Sequence, residues 1–338
     1  MLIDKKYMQF CIDLALKGFP LAFPNPIVGC VIVHNDRIIG QGYHRKYGSH
    51  HAEVNAITSV DNKKLLEEST LYVSLEPCAH FGKTPPCADL IVKSKIPRVV
   101  IGSLDTFSEV NGKGIKRLKN AGIEVVTKVL EKECRAINKR FFTFHEKNRP
   151  YVILKWAQTK DGYLAPLNQK EPLWISSPES KTLVHLWRSQ EQAILVGRKT
   201  AELDNPLLTT REVKGKNPIR IVLDRKLSLN KDLLIFNDDA PTLVVNDKLS
   251  SENHLKVDFD NLAPSLLKEL HSRNIQSIII EGGAQTLNTF IEAEVWDEAR
   301  VFISKKLLAK GIQSPLIQSV INQSELIGND KLTYYINS

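Results

Sequence analysis

The chain has 338 residues, of which 42% are hydrophobic and 25% charged, with five cysteines and a formal net charge of +8. Length and composition indicate a two-domain globular protein, and the odd, sparse cysteines exclude a disulfide framework and leave free thiols or metal ligands. No apolar run reaches the roughly 18 residues that a membrane span needs, and MLIDKKYMQF lacks the order of a signal peptide, so we expect a cytoplasmic protein.

The positive charge is compatible with three interpretations: a merely soluble surface, an anionic small substrate such as a phosphate ester, or nucleic acid. Lys and Arg are spread along the chain without a dense basic tract. This distribution argues against nucleic acid, and we expect neither a nucleic-acid nor a membrane partner.

The first half of the sequence alternates helical and strand patterns. Apolar spacing predicts a helix in KKYMQFCIDLALKG that ends at Gly18, and IVGCVIVHNDRIIGQGYH predicts a hairpin that turns at Asn35-Asp36. A short helix after His51, a strand in TLYVSLEP and a helix from about Cys87 come next. The remaining segments are predicted as a strand, a helix, a strand and one helix, in RVVIGSL, KGIKRLKNAG, IEVVTKV and EKECRAINKRFFTF. This alternation predicts an α/β layered fold.

The second half restarts the alternation after the polar segment HEKNRP, residues 145–150, which is the best candidate for a linker. We therefore expect domains at 1–146 and 150–338. After YVILKWAQ, the segment SSPESKTLVHLWRS predicts a helix with Ser177 as its N-cap and Pro178 in its first turn. Strands are predicted in AILVG, PIRIVLD, PTLVVN and SIIIEGG. No internal repeat occurs, so the two halves are predicted to be unlike domains.

Four residues of the first half form a pattern that is typical of zinc deaminases. His51 and Glu53 are followed by Cys78 and then Cys87. One His and two Cys leave the fourth position of a tetrahedral zinc for water, and a nearby Glu outside the ligand set can move protons. His51 and Glu53 can converge only at the entrance of a helix, because residues i and i+2 within a helix do not face each other.

The spacing of this pattern leaves alternatives open. Cys78 and Cys87 enclose the eight-residue loop AHFGKTPP, whereas many zinc deaminases have C-x-x-C. The long loop is compatible with no shared site, or with a subgroup whose loop touches the substrate. His50 and His80 are competing ligands, and buried cysteines beside a capping histidine are the structural alternative to a metal site.

Several motifs together resemble the bifunctional riboflavin-biosynthesis deaminase/reductase family of bacteria: PNPIVGCVIV, GYH, HAEVNA, LEPCAHFGKTPPC and WISSPES. The resemblance runs from about residue 5 to at least residue 300, and the long cysteine spacing is that family's own form. It implies an α/β protein with an N-terminal cytidine-deaminase-like domain of three α/β/α layers and a C-terminal dihydrofolate-reductase-like domain. The implied cofactors are Zn²⁺ and NADPH.

For the first domain, the resemblance implies the zinc ligands His51, Cys78 and Cys87, with Glu53 as the catalytic proton shuttle. The positions implied to bind a pyrimidine nucleotide are Asn25, His44, Lys83 and Asp105. Asp105 stands in DTFS, where the family has DPNP, so Phe107 replaces an expected asparagine. Without the family, a loop or capping role is the simpler reading of each of these four positions.

In the second half, SIIIEGGAQTLNTF joins an apolar strand to a helix through a glycine turn whose backbone amides suit a phosphate. Two glycines alone are a weak signal, and G-x-G-x-x-G is missing, so an ordinary Rossmann domain is not predicted. The resemblance implies cofactor contacts at Ala157, Thr159, Asp161, Trp174, Thr200, Asp204, Gly283, Ala284, Gln285 and Thr286. It implies substrate contacts at Arg188, Leu208, Arg211 and Glu281. Pro172 replaces a polar family residue. A solvated helix face for Arg188 and a loop salt bridge for Arg211 are the structural alternatives.

The resemblance thus implies two consecutive reactions on a small-molecule phosphoribosyl pyrimidine: hydrolytic deamination of the ring, then NADPH reduction of the ribosyl side chain to ribityl. We also expect a homo-oligomer. No residue of the sequence stands out as the proton donor for the reduction. The main alternative is an RNA or nucleoside deaminase with an appended binding domain, which predicts salt-dependent RNA binding and no NADPH consumption. A non-catalytic sensor that keeps both folds is the second alternative.

Overall fold

A computed structural model describes residues 2–79, 85–106, 112–168 and 175–337 of the chain. Two predicted site residues, Lys83 and Trp174, lie outside these described residues, as do His80, Phe107 and Pro172. The chain divides into two compact units, Met1–Lys147 and Asn148–Ser338. Among the described residues, no helix has the length and apolar character to cross a membrane.

The first unit is built on a five-stranded sheet in the order β2-β1-β3-β4-β5. Its strands are β1 (Gly29–His34), β2 (Arg37–Tyr43), β3 (Thr70–Leu75), β4 (Arg98–Ser103) and β5 (Glu124–Val126). Its helices are α1 (Leu2–Leu16), α2 (Ala52–Ser59), α3 (Cys87–Lys93), α4 (Lys113–Asn120), α5 (Glu131–Ile137) and α6 (Lys139–Glu146), with a 3₁₀ helix at Lys63–Glu68. β1 is antiparallel to both neighbours, whereas β3, β4 and β5 are parallel.

Helices cover both faces of this sheet, as the three-layer prediction requires. Successive strand residues point to opposite faces, and they enter two different apolar clusters. Ile32 and Val73 pack with α2, α3 and α4, whereas Val31 and Tyr72 pack with α1 and α5. The predicted hairpin is also confirmed, with its turn at Asn35 and Asp36, which have φ of 46° and 58°.

One predicted helix of the first unit is in fact two. The segment 131–144 breaks between α5 and α6 at Asn138, which has φ −111° and ψ 22°. The buried side chain of Asn138 accepts a hydrogen bond from the Ile27 N–H (2.8 Å) and donates one to the Ile27 carbonyl (2.9 Å). The break therefore serves a distant contact that anchors the segment carrying Asn25, which helical periodicity cannot reveal.

Gly42 in β2 allows α2 to lie directly against the sheet. A Cβ at this position would lie 2.5 Å from the Ala52 oxygen and 2.5 Å from the Ala56 nitrogen, both backbone atoms of α2. Any larger residue has to displace the helix or the strand. The first turn of α2 is thus fixed by backbone contact with the strand.

The second unit contains a nine-stranded sheet in the order β11-β10-β9-β8-β12-β6-β13-β16-β15, and a small sheet of β7 and β14. The strands are β6 (Tyr151–Gln158), β7 (Tyr163–Ala165), β8 (Ala193–Val196), β9 (Ile219–Leu223), β10 (Thr242–Asn246), β11 (His254–Lys256), β12 (Ser277–Ile280), β13 (Glu298–Ile303), β14 (Ile312–Gln313), β15 (Val320–Ile327) and β16 (Asp330–Ile336). The helices are α7 (Pro178–Gln190), α8 (Arg198–Asp204), α9 (Leu262–Ser272) and α10 (Ala284–Glu292), with a 3₁₀ helix at Leu234–Phe236. The strands from β11 to β13 run parallel, and β16 and β15 complete the edge antiparallel.

Helix α7 begins where the sequence predicts it. Ser177 is the N-cap, and its hydroxyl accepts a hydrogen bond from the Ser180 N–H at 3.3 Å. Asp330, the first residue of β16, adds a second cap from a distant part of the chain. Its buried carboxylate accepts hydrogen bonds from the Ser177 N–H (2.6 Å) and the Ser180 hydroxyl (2.7 Å). The C-terminal hairpin therefore fixes the start of α7.

We expect Gly42→Ala to destabilise the protein by about 1–3 kcal/mol, because a new methyl group would overlap the backbone of α2. Gln41→Ala, at an exposed position of the same strand, is the matched control and should change stability by less than about 0.5 kcal/mol. Urea unfolding of the full chain, followed by circular dichroism, measures both. Equal stabilities for the two variants would contradict the close contact of α2 with β2.

Candidate active sites

Three side chains from three segments of the first unit meet at one point. His51 is the N-cap of α2, Cys87 is the first residue of α3, and Cys78 follows β3. Their donor atoms all lie within 4.8 Å of one another. His51 Nδ1 is 3.3 Å from Cys87 Sγ and 3.6 Å from Cys78 Sγ. The structure thus places the predicted ligands together, with His51 at the helix entrance as the spacing required.

The chemistry of this donor set fits zinc, which binds imidazole nitrogen and thiolate sulfur. A hydrogen bond with Cys87 lowers the pKa of the Cys78 thiol, with further lowering by His51, against the opposing effect of burial. The same hydrogen bond and burial raise the pKa of Cys87. A divalent cation bound by both sulfurs would stabilise both as thiolates.

Glu53 lies beside these donors without being one of them. It is in the first turn of α2 and is 4% exposed. Burial raises the pKa of its carboxyl to about 7, and the effects of His51 and Cys78 on that pKa have opposite signs. A carboxyl with this pKa can both accept and donate a proton at neutral pH. The arrangement is that of a metal centre with an adjacent acid/base.

Asn25 and His44 are joined next to the metal centre. The His44 ring packs edge-to-face on that of His51, with centroids 5.4 Å apart. His44 Nδ1 lies 3.1 Å from the carbonyl of His50, so Nδ1 carries the proton and donates it. His44 Nε2 then accepts a hydrogen bond from the Asn25 amide at 3.2 Å. Burial lowers the pKa of His44, which keeps the ring neutral. His50 contributes its backbone carbonyl to this cluster.

Asp105 follows β4 and is buried. Its backbone N–H faces Glu76, a residue that the sequence did not identify as part of the site. The Asp105 N–H lies 3.4 Å from the carboxylate of Glu76, which is also buried. That carboxylate accepts further hydrogen bonds from Gly112 (3.1 Å) and Ile115 (3.2 Å), at the start of α4. Glu76 thus ties the Asp105 segment to the segment that carries Cys78. Its position two residues before a ligand is the one sequence signal for this role.

In the second unit, the predicted phosphate turn meets helix α8. Gly283 is the N-cap of α10, and a Cβ there would lie 3.8 Å from the Thr200 hydroxyl. Cβ atoms at Gly197 and Gly282 would lie 2.5 Å and 2.7 Å from atoms of the Thr286 side chain, so both glycines are needed for this close approach. The turns after the adjacent strands β8 and β12 therefore converge, and backbone N–H groups at the start of α10 can face an anion.

The other described cofactor positions lie around this turn or at the end of β6. Ala157 is in β6, Asp204 ends α8, and Ala284 and Gln285 open α10. Burial raises the pKa of Asp204. Asp161 accepts hydrogen bonds from the Thr159 hydroxyl (2.6 Å) and from the N–H groups of Leu308 (3.1 Å) and Ala309 (2.8 Å). Its carboxylate therefore holds the 308–309 turn against the end of β6.

A charged cluster lies at the carboxyl end of β12, beside the middle of β6. Glu281 binds Arg188 of α7 through two hydrogen bonds of 2.9 and 3.2 Å, and Lys155 of β6 at 3.4 Å. Burial alone would raise the pKa of Glu281, but the charges of Arg188 and Lys155 outweigh it and lower that pKa to about 2. The Arg188 side chain is only 12% exposed, so it does not belong to a solvated helix face. Sequence reasoning missed Lys155, whose signal is a lone charge within the apolar strand YVILKWAQ.

Arg211 is linked to the same helix. Its backbone N–H donates to Nδ1 of His185 at 3.1 Å, and His185 precedes Arg188 by one turn of α7. The Arg211 guanidinium also donates to the Thr209 hydroxyl at 3.1 Å. Leu208 is buried among apolar residues that include Val196 and Ala201, so only its backbone, with φ of 53°, can face a ligand.

The chain is similar to known proteins over nearly its whole length. One family model, the RibD C-terminal domain, matches residues 150–331, and another, the cytidine and deoxycytidylate deaminase zinc-binding region, matches residues 1–103. The riboflavin biosynthesis protein RibD of Aquifex aeolicus is 42% identical, over 92% of this chain and 89% of that protein. RibD of Actinobacillus pleuropneumoniae is 37% identical, over 98% and 95%.

Two solved structures have the same fold. A diaminohydroxyphosphoribosylaminopyrimidine deaminase/5-amino-6-(5-phosphoribosylamino)uracil reductase from Thermotoga maritima superposes with a TM-score of 0.88 at 35% identity. RibD of Acinetobacter baumannii superposes with a TM-score of 0.90 at 30% identity. Each alignment covers 99% of this chain and 99% of the other.

We expect the purified chain to hold about one zinc ion, and Cys87→Ser to lose most of it, because two donors bind zinc far more weakly than three. Cys134→Ser, which removes another buried thiol of the first unit outside the donor set, is the matched control and should keep its zinc. Elemental analysis after gel filtration measures the content. Equal zinc in both variants would show that Cys87 is not a ligand.

Proposed function

Because the chain belongs to the RibD family of bifunctional riboflavin-biosynthesis enzymes, we propose specific reactions and residues for its two units. The first unit hydrolytically deaminates 2,5-diamino-6-(5-phosphoribosylamino)pyrimidin-4-one. The second reduces the ribosyl side chain of the product to ribityl. As a member of this family, the protein is both a hydrolase and an oxidoreductase, and its cofactors are zinc and NADPH. An RNA or nucleoside deaminase is not favoured, because the second half of the chain matches the RibD C-terminal domain.

The observation that carries the deaminase proposal is the meeting of His51, Cys78 and Cys87 beside buried Glu53. Zinc bound by these three ligands would supply a water with a pKa of about 7. Glu53 would carry both protons of the added water: one from the water to the ring nitrogen next to C2, and the second from the new C2 hydroxyl to the amino group, which leaves as ammonia as the carbonyl forms. Its pKa of about 7 suits both transfers.

Asn25 and His44 orient the pyrimidine in this proposal. His44 is held by the His50 carbonyl and engages the NH₂ end of the Asn25 amide. The amide oxygen of Asn25 is thereby directed to accept a hydrogen bond from an N–H group of the ring edge. Asp105, held through Glu76, supplies a further acceptor for the nucleotide.

The charged cluster of the second unit is the proposed substrate site of the reductase. Arg188 and Arg211 are the two cations proposed to hold the substrate phosphate, because guanidinium groups bind phosphate through paired N–H donors. Glu281 holds Arg188 and Lys155 in place. NADPH, bound where the turn at Gly283 meets Thr200 of α8, would supply a hydride to C1′ of the open, imine form of the side chain. Lys155 Nζ is our candidate for the donor of the balancing proton, because it is the ammonium group next to Glu281.

We also propose that the protein works as a homo-oligomer in the cytoplasm, with neither nucleic acid nor a membrane as partner. Free thiols at Cys11, Cys30 and Cys134, together with the thiol ligands, suit a reducing compartment. The edge strand β15 carries exposed apolar side chains, with Val320 72% and Leu326 77% exposed. An exposed apolar edge of this kind is suited to a second copy of the chain.

Mass spectrometry of the diaminopyrimidine substrate tests both reactions. The wild-type chain should exchange an amino for an oxo group without NADPH, and add two hydrogens only when NADPH is present. Glu53→Ala should keep its zinc but lose deamination by roughly 10²-fold or more, the scale of a general acid/base. The variant should still reduce the deaminated compound when it is supplied directly. Exchange without reduction would refute the assignment of the second unit, and no exchange by a zinc-loaded chain would refute that of the first.

Arg211→Ala should raise the KM for the phosphorylated reductase substrate by about 10- to 100-fold, because a charge-assisted hydrogen bond contributes about 1.5–3 kcal/mol. The KM for NADPH should stay within about twofold of the wild-type value. Lys214→Ala, which removes a charge from a nearby exposed position, is the matched control. Equal losses for substrate and NADPH would mean that Arg211 maintains the fold instead of holding the phosphate.

A further inference from the structure

His185 is a buried histidine that the reactions above do not use. It lies in the middle of α7 and is 2% exposed. Its Nδ1 accepts the hydrogen bond from the Arg211 N–H at 3.1 Å. The bond joins the helix that carries Arg188 to the segment that carries Arg211. These two arginines are the cations assigned to the substrate phosphate.

The imidazole is suited to act as a permanent acceptor. Burial, followed by the charges of Arg188 and Arg211, lowers the pKa of His185 to about 4, although Glu212 opposes this effect. Lys181, one turn earlier on α7, lowers that pKa further. The ring is therefore neutral at neutral pH, with Nδ1 unprotonated and the proton on Nε2. A protonated ring would present an N–H group to the Arg211 N–H and lose the bond.

The segment around Arg211 is held at several points, and His185 provides the link to α7. Thr210 donates from its N–H to the Asn217 side chain at 2.8 Å, and from its hydroxyl to the Lys216 carbonyl at 3.2 Å. These bonds close the loop on itself. The bond to His185 instead fixes the distance of the loop from Arg188, which stands three residues further along the helix.

We propose that His185 is a positioning residue of the reductase site, which sets the Arg211 backbone so that Arg211 and Arg188 grip one anionic group of the substrate. The inference rests on the function proposed for the second unit. His185 itself touches neither substrate nor cofactor in this proposal. It contributes a hydrogen-bond acceptor at one fixed point, and any side chain that supplies an acceptor there should replace it.

Three substitutions separate this role from a general packing role. In His185→Asn, the amide oxygen takes the place of Nδ1, whereas in His185→Gln the polar group lies further along the side chain, near the place of Nε2. His185→Leu keeps the volume but has no acceptor. We expect the KM for the phosphorylated reductase substrate to rise about tenfold in His185→Leu and His185→Gln, and to stay within about threefold of wild type in His185→Asn.

Three controls accompany these measurements. The KM for NADPH and the deamination rate should be unchanged in every variant, and thermal unfolding should show that each variant is folded. Calorimetric binding of the reduced ribityl product provides a readout that does not require turnover, and its Kd should follow the same order as the KM values.

The outcomes distinguish the inference from the function on which it rests. Equal losses in His185→Leu and His185→Asn, or a normal KM in His185→Leu, would overturn the positioning role while leaving the reductase assignment intact. A wild-type chain that neither reduces the ribosyl compound nor binds its product would overturn the proposed function, and the role of His185 with it. Rescue by asparagine alone supports the acceptor at Nδ1.

Discussion

The deaminase centre depends on helices α2 and α3 beginning at the same place beside the sheet. The three donor atoms lie within 4.8 Å of one another, and they come from the N-cap of one helix, the first residue of another and the segment after β3. Gly42 sets the height of α2 above the sheet through direct backbone contact. Helix starts also supply N–H groups that favour thiolate, such as the Cys87 N–H, which donates to Cys78 Sγ at 3.3 Å. Metal affinity in this unit is therefore a property of backbone packing as much as of the ligands.

The second unit uses different groups for the two anions that it is proposed to bind. In that proposal, phosphate recognition is divided between backbone amides at the turn after β12 and side-chain cations around Glu281. Glu281 belongs to that same turn, directly after β12. The carboxylate keeps Arg188 and Lys155 in place while partly neutralising them, which limits their mutual repulsion when no ligand is bound. Because this cluster is already ordered, binding an anion requires little free energy for rearrangement of its side chains.

Local patterns were sufficient to predict much of this protein from sequence. The hairpin at Asn35-Asp36, the cap of α7 at Ser177 and the meeting of His51, Cys78 and Cys87 all rest on residues close in sequence or on a motif with fixed order. The features that were missed rest on contacts between distant residues. Asn138 interrupts a helix and hydrogen-bonds to Ile27, 111 positions away. Lys155 forms an ion pair with Glu281, 126 positions away. The periodicity of the sequence cannot predict such pairs, because the residues around one member of a pair do not indicate which distant residue it contacts.

The second cap of α7 has a consequence for how the protein is made. Asp330 binds the start of α7, and its strand β16 pairs with β13. During synthesis from the N-terminus, about 150 further residues must therefore follow the start of α7, the helix that carries Arg188, before Asp330 leaves the ribosome. The residues of the first unit, Met1–Lys147, are all available by then. The whole first unit is thus synthesised before the second cap of α7 can form, because that cap requires residue 330.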